Sequence, residues 1–143
     1  MSLRNRLLVP IVALGFLGAA CGSGDSGGGS AGDGIPVTLR DFAIEMGETS
    51  SPAGTVDFDI TNDGPSVHEF EVLRTDTPAD ALPVESSVVQ TTAEGIEIVD
   101  EIEQITPSTD AGLSVALDPA TYAVICNIAG HYEAGMYTSF TVT

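Results

Sequence analysis

Short stretches in which apolar and polar residues alternate, each closed by turn residues, constrain this chain more than any other feature. The segment GTVDFDITNDG begins at Gly54. Its residues Val56, Phe58 and Ile60 occupy alternate positions and therefore share one face of a strand. The turn signal NDGP, which starts at Asn62, ends that strand. Short alternating strands separated by Gly, Pro, Asn and Asp predict an all-β sandwich.

Four further segments extend this pattern. HEFEVLR alternates from His68 onward, so its strand and the preceding one predict an antiparallel hairpin or an arch. GLSVALDPATYAVIC predicts two strands around a turn at Asp118 and Pro119, MYTSFTVT predicts the last strand, and VTLRDFAIEM alternates only loosely. Residues 75–110 are the least regular part, and we expect one or two short strands and a helical turn there. Residues 35–143 should form a single domain.

The N-terminus predicts export. Residues 1–20 have the basic start MSLRNR and the apolar run LLVPIVALGFLGAA, as in a secretory signal peptide. The stretch LGAAC, which ends at Cys21, resembles a bacterial lipoprotein cleavage box, in which the cysteine is lipidated. Residues 21–34 would then be the lipidated cysteine and a Gly/Ser/Asp tether. We expect a protein anchored at the outer face of the cytoplasmic membrane. Ordinary signal cleavage would instead leave it periplasmic or extracellular.

Charge excludes one class of partner. The sequence has 21 Asp and Glu residues against 4 Arg and no Lys, for a formal net charge of −17. Such a chain has too few cations to neutralise phosphates, so we expect no nucleic-acid partner. Cleavage before Cys21 removes two arginines and no acidic residue, which takes the charge to −19. This charge favours basic partners or, alternatively, reflects adaptation to salt.

The segment CNIAGHYEAGM gathers three side chains that bind soft or borderline metals. They are Cys126, His131 and Met136, with four residues between each and the next. The whole chain has only 2 cysteines and 2 histidines. If Cys21 carries lipid, Cys126 has no disulfide partner, and metal ligation would protect its thiol. His68, the other histidine, opens a strand just after a turn, where it can reach the same end of the sandwich.

Each of these residues has an ordinary structural interpretation when taken alone. A buried cysteine or methionine can be core packing, and a single histidine can be a surface residue. Together, two His, one Cys and one Met favour a metal site. A tetrahedral zinc site more often takes a carboxylate or a second thiolate as its fourth ligand, whereas His₂Cys with a weak axial Met suits copper electron transfer. The sequence therefore predicts one copper ion.

Two motifs resemble those of the cupredoxins, the plastocyanin/azurin-like family of type 1 blue-copper proteins. NDGPSVHEFEV is similar to the segment that carries the family's first histidine ligand, and CNIAGHYEAGM is similar to its Cys-His-Met loop. The resemblance implies a Greek-key β-sandwich, equatorial ligands His68, Cys126 and His131, and an axial Met136. Glu69 stands where the best-known members have an Asn that tethers the ligand loop, so the tether here must differ.

We therefore expect a monomeric protein that carries single electrons through Cu(I)/Cu(II) to redox proteins. A copper chaperone or storage protein, and a copper-bearing module of a larger oxidase or reductase, are the alternatives. We expect no enzymatic activity, because no general acid or base is available once both histidines bind metal. The remaining carboxylates of interest are predicted to lie on solvated faces: Glu69, Glu71, Asp100, Glu101 and Glu103.

Overall fold

The computed structural model describes residues 34–143, which contain eleven strands and no helix. The predicted signal peptide of residues 1–20, the lipidation site Cys21 and the tether up to residue 33 lie outside the described residues. Residues 34–143 therefore contain no helix that could span a membrane. The strands are β1 Ile35–Arg40, β2 Ala43–Met46, β3 Ser50–Ser51, β4 Gly54–Asn62, β5 His68–Thr75, β6 Val84–Glu85, β7 Val88–Val89, β8 Ile96–Ile105, β9 Asp110–Leu117, β10 Ala120–Ile125 and β11 Tyr137–Val142.

Two sheets form the sandwich. The first has the strand order β2-β1-β4-β9 and the second has the order β3-β11-β10-β5-β8, while β6 and β7 pair separately. Strands that are neighbours in sequence often lie in different sheets, as β4 and β5 do, and β9 and β10. This crossing between sheets is what a Greek-key sandwich requires. The predicted all-β fold class is confirmed.

The core lies between the two sheets and follows the alternation of the sequence. Val56, Phe58 and Ile60 on β4 are buried, as predicted. The ring of Phe58 lies 5.3 Å from that of Phe70 on β5 and 5.4 Å from that of Phe140 on β11. Each such aromatic pair adds about 0.5–1.5 kcal/mol to the burial of its area, so these rings join the two sheets.

The connection between β4 and β5 is an arch, and the hairpin alternative is wrong. The reason is that β4 pairs with β1 and β9 in one sheet, whereas β5 pairs with β10 and β8 in the other. Asn62, which is fully buried, holds the arch together. Its amide donates to the carbonyl oxygens of Ser66 and Ile105, both at 2.8 Å, and its Oδ1 accepts from Gly64 N at 2.9 Å.

The prediction for residues 75–110 was partly wrong. β6 and β7 are the expected short strands, but the region also contains the ten-residue strand β8 and no helical turn. Ile102 and Ile105 both reach the core although they are three positions apart, an odd spacing that would place them on opposite faces of a regular strand. They can do so because the pairing of β5 with β8 shifts register between His68 and Phe70. The spacing of these two isoleucines, which would also suit a helix, therefore comes from a bulged strand.

Candidate metal centre

Cys126 follows β10 directly, and its side chain is fully buried, on the same face as the buried residues Tyr122 and Val124. Its Sγ accepts a hydrogen bond from Glu69 N at 3.2 Å and another from the backbone of Ile128. Burial raises the pKa of the thiol, and the two hydrogen bonds offset part of that rise. These backbone donors stabilise negative charge on sulfur once a metal displaces the proton.

The loop from Cys126 to Met136 is closed by its own backbone. Cys126 N donates to the carbonyl oxygen of Met136 at 3.1 Å, and Met136 N donates to that of His131 at 3.0 Å. Gly130 has a φ of 84° and Gly135 has a φ of 117°, and residues with a Cβ rarely adopt such values. The glycines thus allow the loop to fold back, and Met136, whose backbone is hydrogen-bonded to that of Cys126, is fully buried.

His68 approaches this loop from the arch. Its Nδ1 lies 3.9 Å from Cys126 Sγ and 3.3 Å from His131 Nδ1, and His131 Nδ1 lies 3.4 Å from the same sulfur. These three donor atoms lie within 4.8 Å of one another, and within residues 34–143 no other set of His, Cys and carboxylate donors is as close. The two histidines and the cysteine singled out from the sequence therefore meet at one end of the sandwich, and the backbone of Met136 is hydrogen-bonded to those of Cys126 and His131.

The donor set fits a soft or borderline metal. Burial lowers the pKa of His68, and the neighbouring His131 lowers it further, so the imidazole of His68 is neutral at neutral pH. A histidine must be neutral and a cysteine must be a thiolate in order to bind a metal, and both histidines turn Nδ1 toward the sulfur. Two imidazole nitrogens and a thiol sulfur in an apolar setting match the preferences of copper or zinc rather than those of a hard cation.

Asp41 is a member of this site that the sequence did not reveal. Its Oδ1 lies 3.3 Å from His68 Nε2, and neither atom has any other hydrogen-bond partner. Ser66 Oγ donates to the other carboxylate oxygen at 3.1 Å. A Cβ built on Gly64 would stand 2.9 Å from His68 Nε2 and 3.0 Å from Asp41 Oδ1, so glycine leaves room for the pair. A carboxylate facing the second nitrogen of a ligating histidine orients its ring and raises its basicity.

Glu69 tethers the ligand loop. The carboxylate of Glu69 accepts a hydrogen bond from the backbone of Asn127. The side chain of Asn127 reaches the other way, accepting from Val89 N at 2.7 Å and donating to Val89 O at 3.2 Å. Tyr132 provides a further anchor, since its hydroxyl donates to Ala79 O at 2.8 Å and accepts from Leu82 N at 2.9 Å. The segment between β5 and β8 therefore supports the loop.

His131 is only half-buried, unlike the other ligand candidates. Phe42 packs edge-on against it, with ring centroids 6.1 Å apart, and remains 55% exposed. Phe42 has a φ of 68°, which is uncommon for a bulky residue and is the kind of strain found at functional sites. Nothing in the sequence analysis predicts this conformation. An exposed aromatic ring thus lies beside the half-buried imidazole at the surface of the site.

One carboxylate contradicts the prediction of solvated faces. Glu71 is only 7% exposed, and its Oε2 has no hydrogen-bond partner. Burial, together with the charges of Glu69, Glu101 and Glu103, raises its pKa to about 7. The prediction was wrong for Glu71 because alternation places it on the outer face of its sheet, and residues 76–95 cover that face, as the cluster of Leu73, Leu82 and Val89 shows.

No protein-family model matches the chain, and no curated protein matches it. Solved structures share its fold. Auracyanin from Roseiflexus castenholzii is 20% identical over 80% of this chain and 99% of its own, with a TM-score of 0.58. Rusticyanin from Thiobacillus ferrooxidans is 19% identical over 79% of both chains, with a TM-score of 0.56. Auracyanin A from Chloroflexus aurantiacus is described as a blue copper protein. It is 21% identical over 76% of this chain and 99% of its own, with a TM-score of 0.50. The fold of this chain is that of the cupredoxins.

Proposed function

We propose that this protein binds one copper ion and carries single electrons. The observation that carries the proposal is the convergence of His68 Nδ1, His131 Nδ1 and Cys126 Sγ within 4.8 Å of one another. Met136 would be the weak axial ligand. The solved structures that share the fold include proteins described as copper proteins, which supports the choice of metal.

Copper bound here would supply a one-electron Cu(I)/Cu(II) couple. The protein's part is to hold the ligands still. His68, Cys126 and Met136 are fully buried, and the loop between the last two is closed by backbone hydrogen bonds. Asp41 holds the far side of His68. Ligands fixed in this way favour fast electron exchange, because little has to move when the charge changes.

Electrons would enter and leave through His131. Its imidazole is half-buried, whereas that of His68 is fully buried. Phe42 packs beside it, and the two neighbouring glycines of the loop have no side chains that would keep a partner away. The strongly acidic domain would steer basic redox proteins toward this end, and salt would screen that steering. The protein would act as a monomer and not as an enzyme.

The cellular location of the protein is proposed from the N-terminal segment of residues 1–21 alone. Lipidation at Cys21 would anchor the domain outside the cytoplasm, with residues 22–34 as the spacer. Changing Cys21 to Ala should move the protein out of the membrane fraction. Equal membrane fractions for the Cys21→Ala variant and the unchanged protein would rule out the lipid anchor and leave the copper proposal standing.

Redox cycling with a Cu(I) chelator separates a carrier from a copper chaperone. The copper-loaded protein is reduced with ascorbate and reoxidised with ferricyanide over several cycles, with the chelator present throughout. A carrier keeps its copper, and its exchange with a basic redox protein slows as salt rises. Loss of copper to a modest chelator within one cycle would replace the carrier with the delivery function.

A further inference from the structure

Four carboxylates share the outer face of β5 and β8, on the side of the sheet away from the core. Glu69 and Glu71 lie on β5, and Glu101 and Glu103 lie on β8. Glu71 and Glu101 are direct partners in the strand pairing, which brings their Cβ atoms to about 5 Å of each other. Like charges in that arrangement destabilise a sheet unless something neutralises them.

No side chain in residues 34–143 neutralises the four carboxylates. The ion pairs there are those of Arg40 with Glu45 and Asp63, and that of His68 with Asp41. One oxygen position of the cluster is used, since the carboxylate of Glu69 accepts a hydrogen bond from the backbone of Asn127. The four carboxylates therefore have no cationic side-chain partner among the residues that the structure describes.

Glu71 distinguishes this cluster from an ordinary acidic surface. Its side chain is more than nine-tenths buried, and its Oε2 has no hydrogen-bond partner. The charged groups that act on its carboxylate are the other three members of the cluster. A buried, unpartnered carboxylate costs several kcal/mol unless a proton or a cation accompanies it. The buried carboxylate of Glu71 therefore lies on the same face as the exposed carboxylates of Glu101, its partner across the strand pair, and Glu103.

We propose that Glu71, Glu101 and Glu103 form a binding site for a hard divalent cation, with Ca²⁺ as the ion that fits best. Ca²⁺ accepts flexible shells of carboxylate oxygens and waters at varied angles, whereas Mg²⁺ demands nearly ideal octahedral geometry. The carboxylate oxygens are not as close together as the three donors of the soft site. Because Glu101 and Glu103 are exposed, their side chains can turn toward the ion and water can complete the shell.

The bound ion would fasten the edge strand β8 to β5. It would bind independently of copper, because an all-oxygen site selects hard cations and the His/Cys site selects soft ones. The inference therefore does not rest on the copper proposal.

Calcium titration of the full chain tests the site. The protein is dialysed against EGTA and then against metal-free buffer, and Ca²⁺ is added at constant ionic strength while binding heat and thermal unfolding are followed. We expect one Ca²⁺ per chain and an unfolding temperature that rises with Ca²⁺. Replacing Glu71 with Gln, or Glu101 with Gln, should weaken binding by at least about tenfold.

Glu97→Gln is the matched control, since it removes one exposed carboxylate from the same strand outside the cluster. It should bind Ca²⁺ as the unchanged protein does. If Glu71→Gln fails to fold, the Glu101→Gln variant still tests the site, because Glu101 is exposed and its replacement should not prevent folding. Absence of Ca²⁺ binding to the unchanged protein, or equal losses in the Glu97 and Glu101 variants, would overturn the proposal.

Discussion

The two faces of strand β5 carry opposite chemistries within four residues. His68 points inward with Phe70 and meets Cys126 and His131, whereas Glu69 and Glu71 lie on the outer face. The inner side collects nitrogen and sulfur donors in an apolar setting, and the outer side collects carboxylate oxygens. Because successive side chains of a strand alternate between faces, one short segment can serve a soft-metal centre and a hard-cation cluster without mixing their ligands.

The two faces also differ in how their groups are held. On the inner face, the arch and the ligand loop fix each donor through backbone hydrogen bonds. On the outer face, only Glu69 has such a bond, and Glu71 has none on its Oε2. The inner site is therefore preorganised, whereas the outer cluster depends on an added ion or proton. Each variant below should affect one face and spare the other.

The largest effect should come from Asn62→Ala, which removes the clamp of the arch behind His68. Three hydrogen bonds are lost at a buried position, so we expect unfolding to become easier by about 2–4 kcal/mol. Urea denaturation measures this. Thr61→Ala, which removes an exposed bond to Asp110, should change stability by less than about 1 kcal/mol. Equal losses in the two variants would mean that the arch is not held by Asn62.

Glu71→Gln should change how stability depends on pH. In the cation-free protein the pKa of Glu71 is raised from 4.5 to about 7, so the folded state holds a proton that the unfolded chain has released. Stability is therefore lost as pH rises from about 5 to about 7, by up to ~1.4 kcal/mol per pH unit. The Gln variant should show a flatter profile in urea titrations at several pH values. The raised pKa of Glu69 leaves a smaller slope of the same sign. Parallel profiles would contradict the buried, unpartnered state of Glu71.

Gly64→Ala should disturb the inner face by a smaller amount. The added methyl would press on His68 Nε2 and Asp41 Oδ1, so we expect a loss of about 1–3 kcal/mol and a changed spectrum of the copper-loaded protein. Gly112→Ala is the control, because its added Cβ would meet only Phe58 O, at 3.9 Å. A normal spectrum in the Gly64 variant would show that the pair has more room than the structure indicates.

The smallest effect should come from Asp41→Asn, which keeps the shape and removes the charge opposite His68. The oxidised copper site would lose a favourable negative charge, so its reduction potential should rise while copper is retained. Voltammetry measures the shift. Asp63→Asn removes a charge that pairs with Arg40 instead, and it should leave the potential nearly unchanged. A potential that falls in the Asp41 variant would contradict the role given to this carboxylate.

Local pattern was enough to predict much of this molecule. Alternation located β4 and β5, and the rarity of Cys and His pointed to Cys126, His131 and His68, because the chain has few such residues to place. What escaped prediction depends on contacts distant in sequence. The approach of Asp41 to His68 and the bulges of β8 follow from strand pairing. The burial of Glu71 follows from the covering of an outer face that alternation alone predicts to be wet.

Spectra of the protein titrated with Cu(II) test the central claim most directly. We expect one copper per chain, an intense blue or green thiolate-to-copper absorption band, and a paramagnetic resonance spectrum that reports the same site. Cys126→Ser should remain folded and lose the band, because the sulfur that produces it is gone. A weak, featureless colour in the unchanged protein, or an intense band that survives in Cys126→Ser, would contradict the copper–thiolate centre.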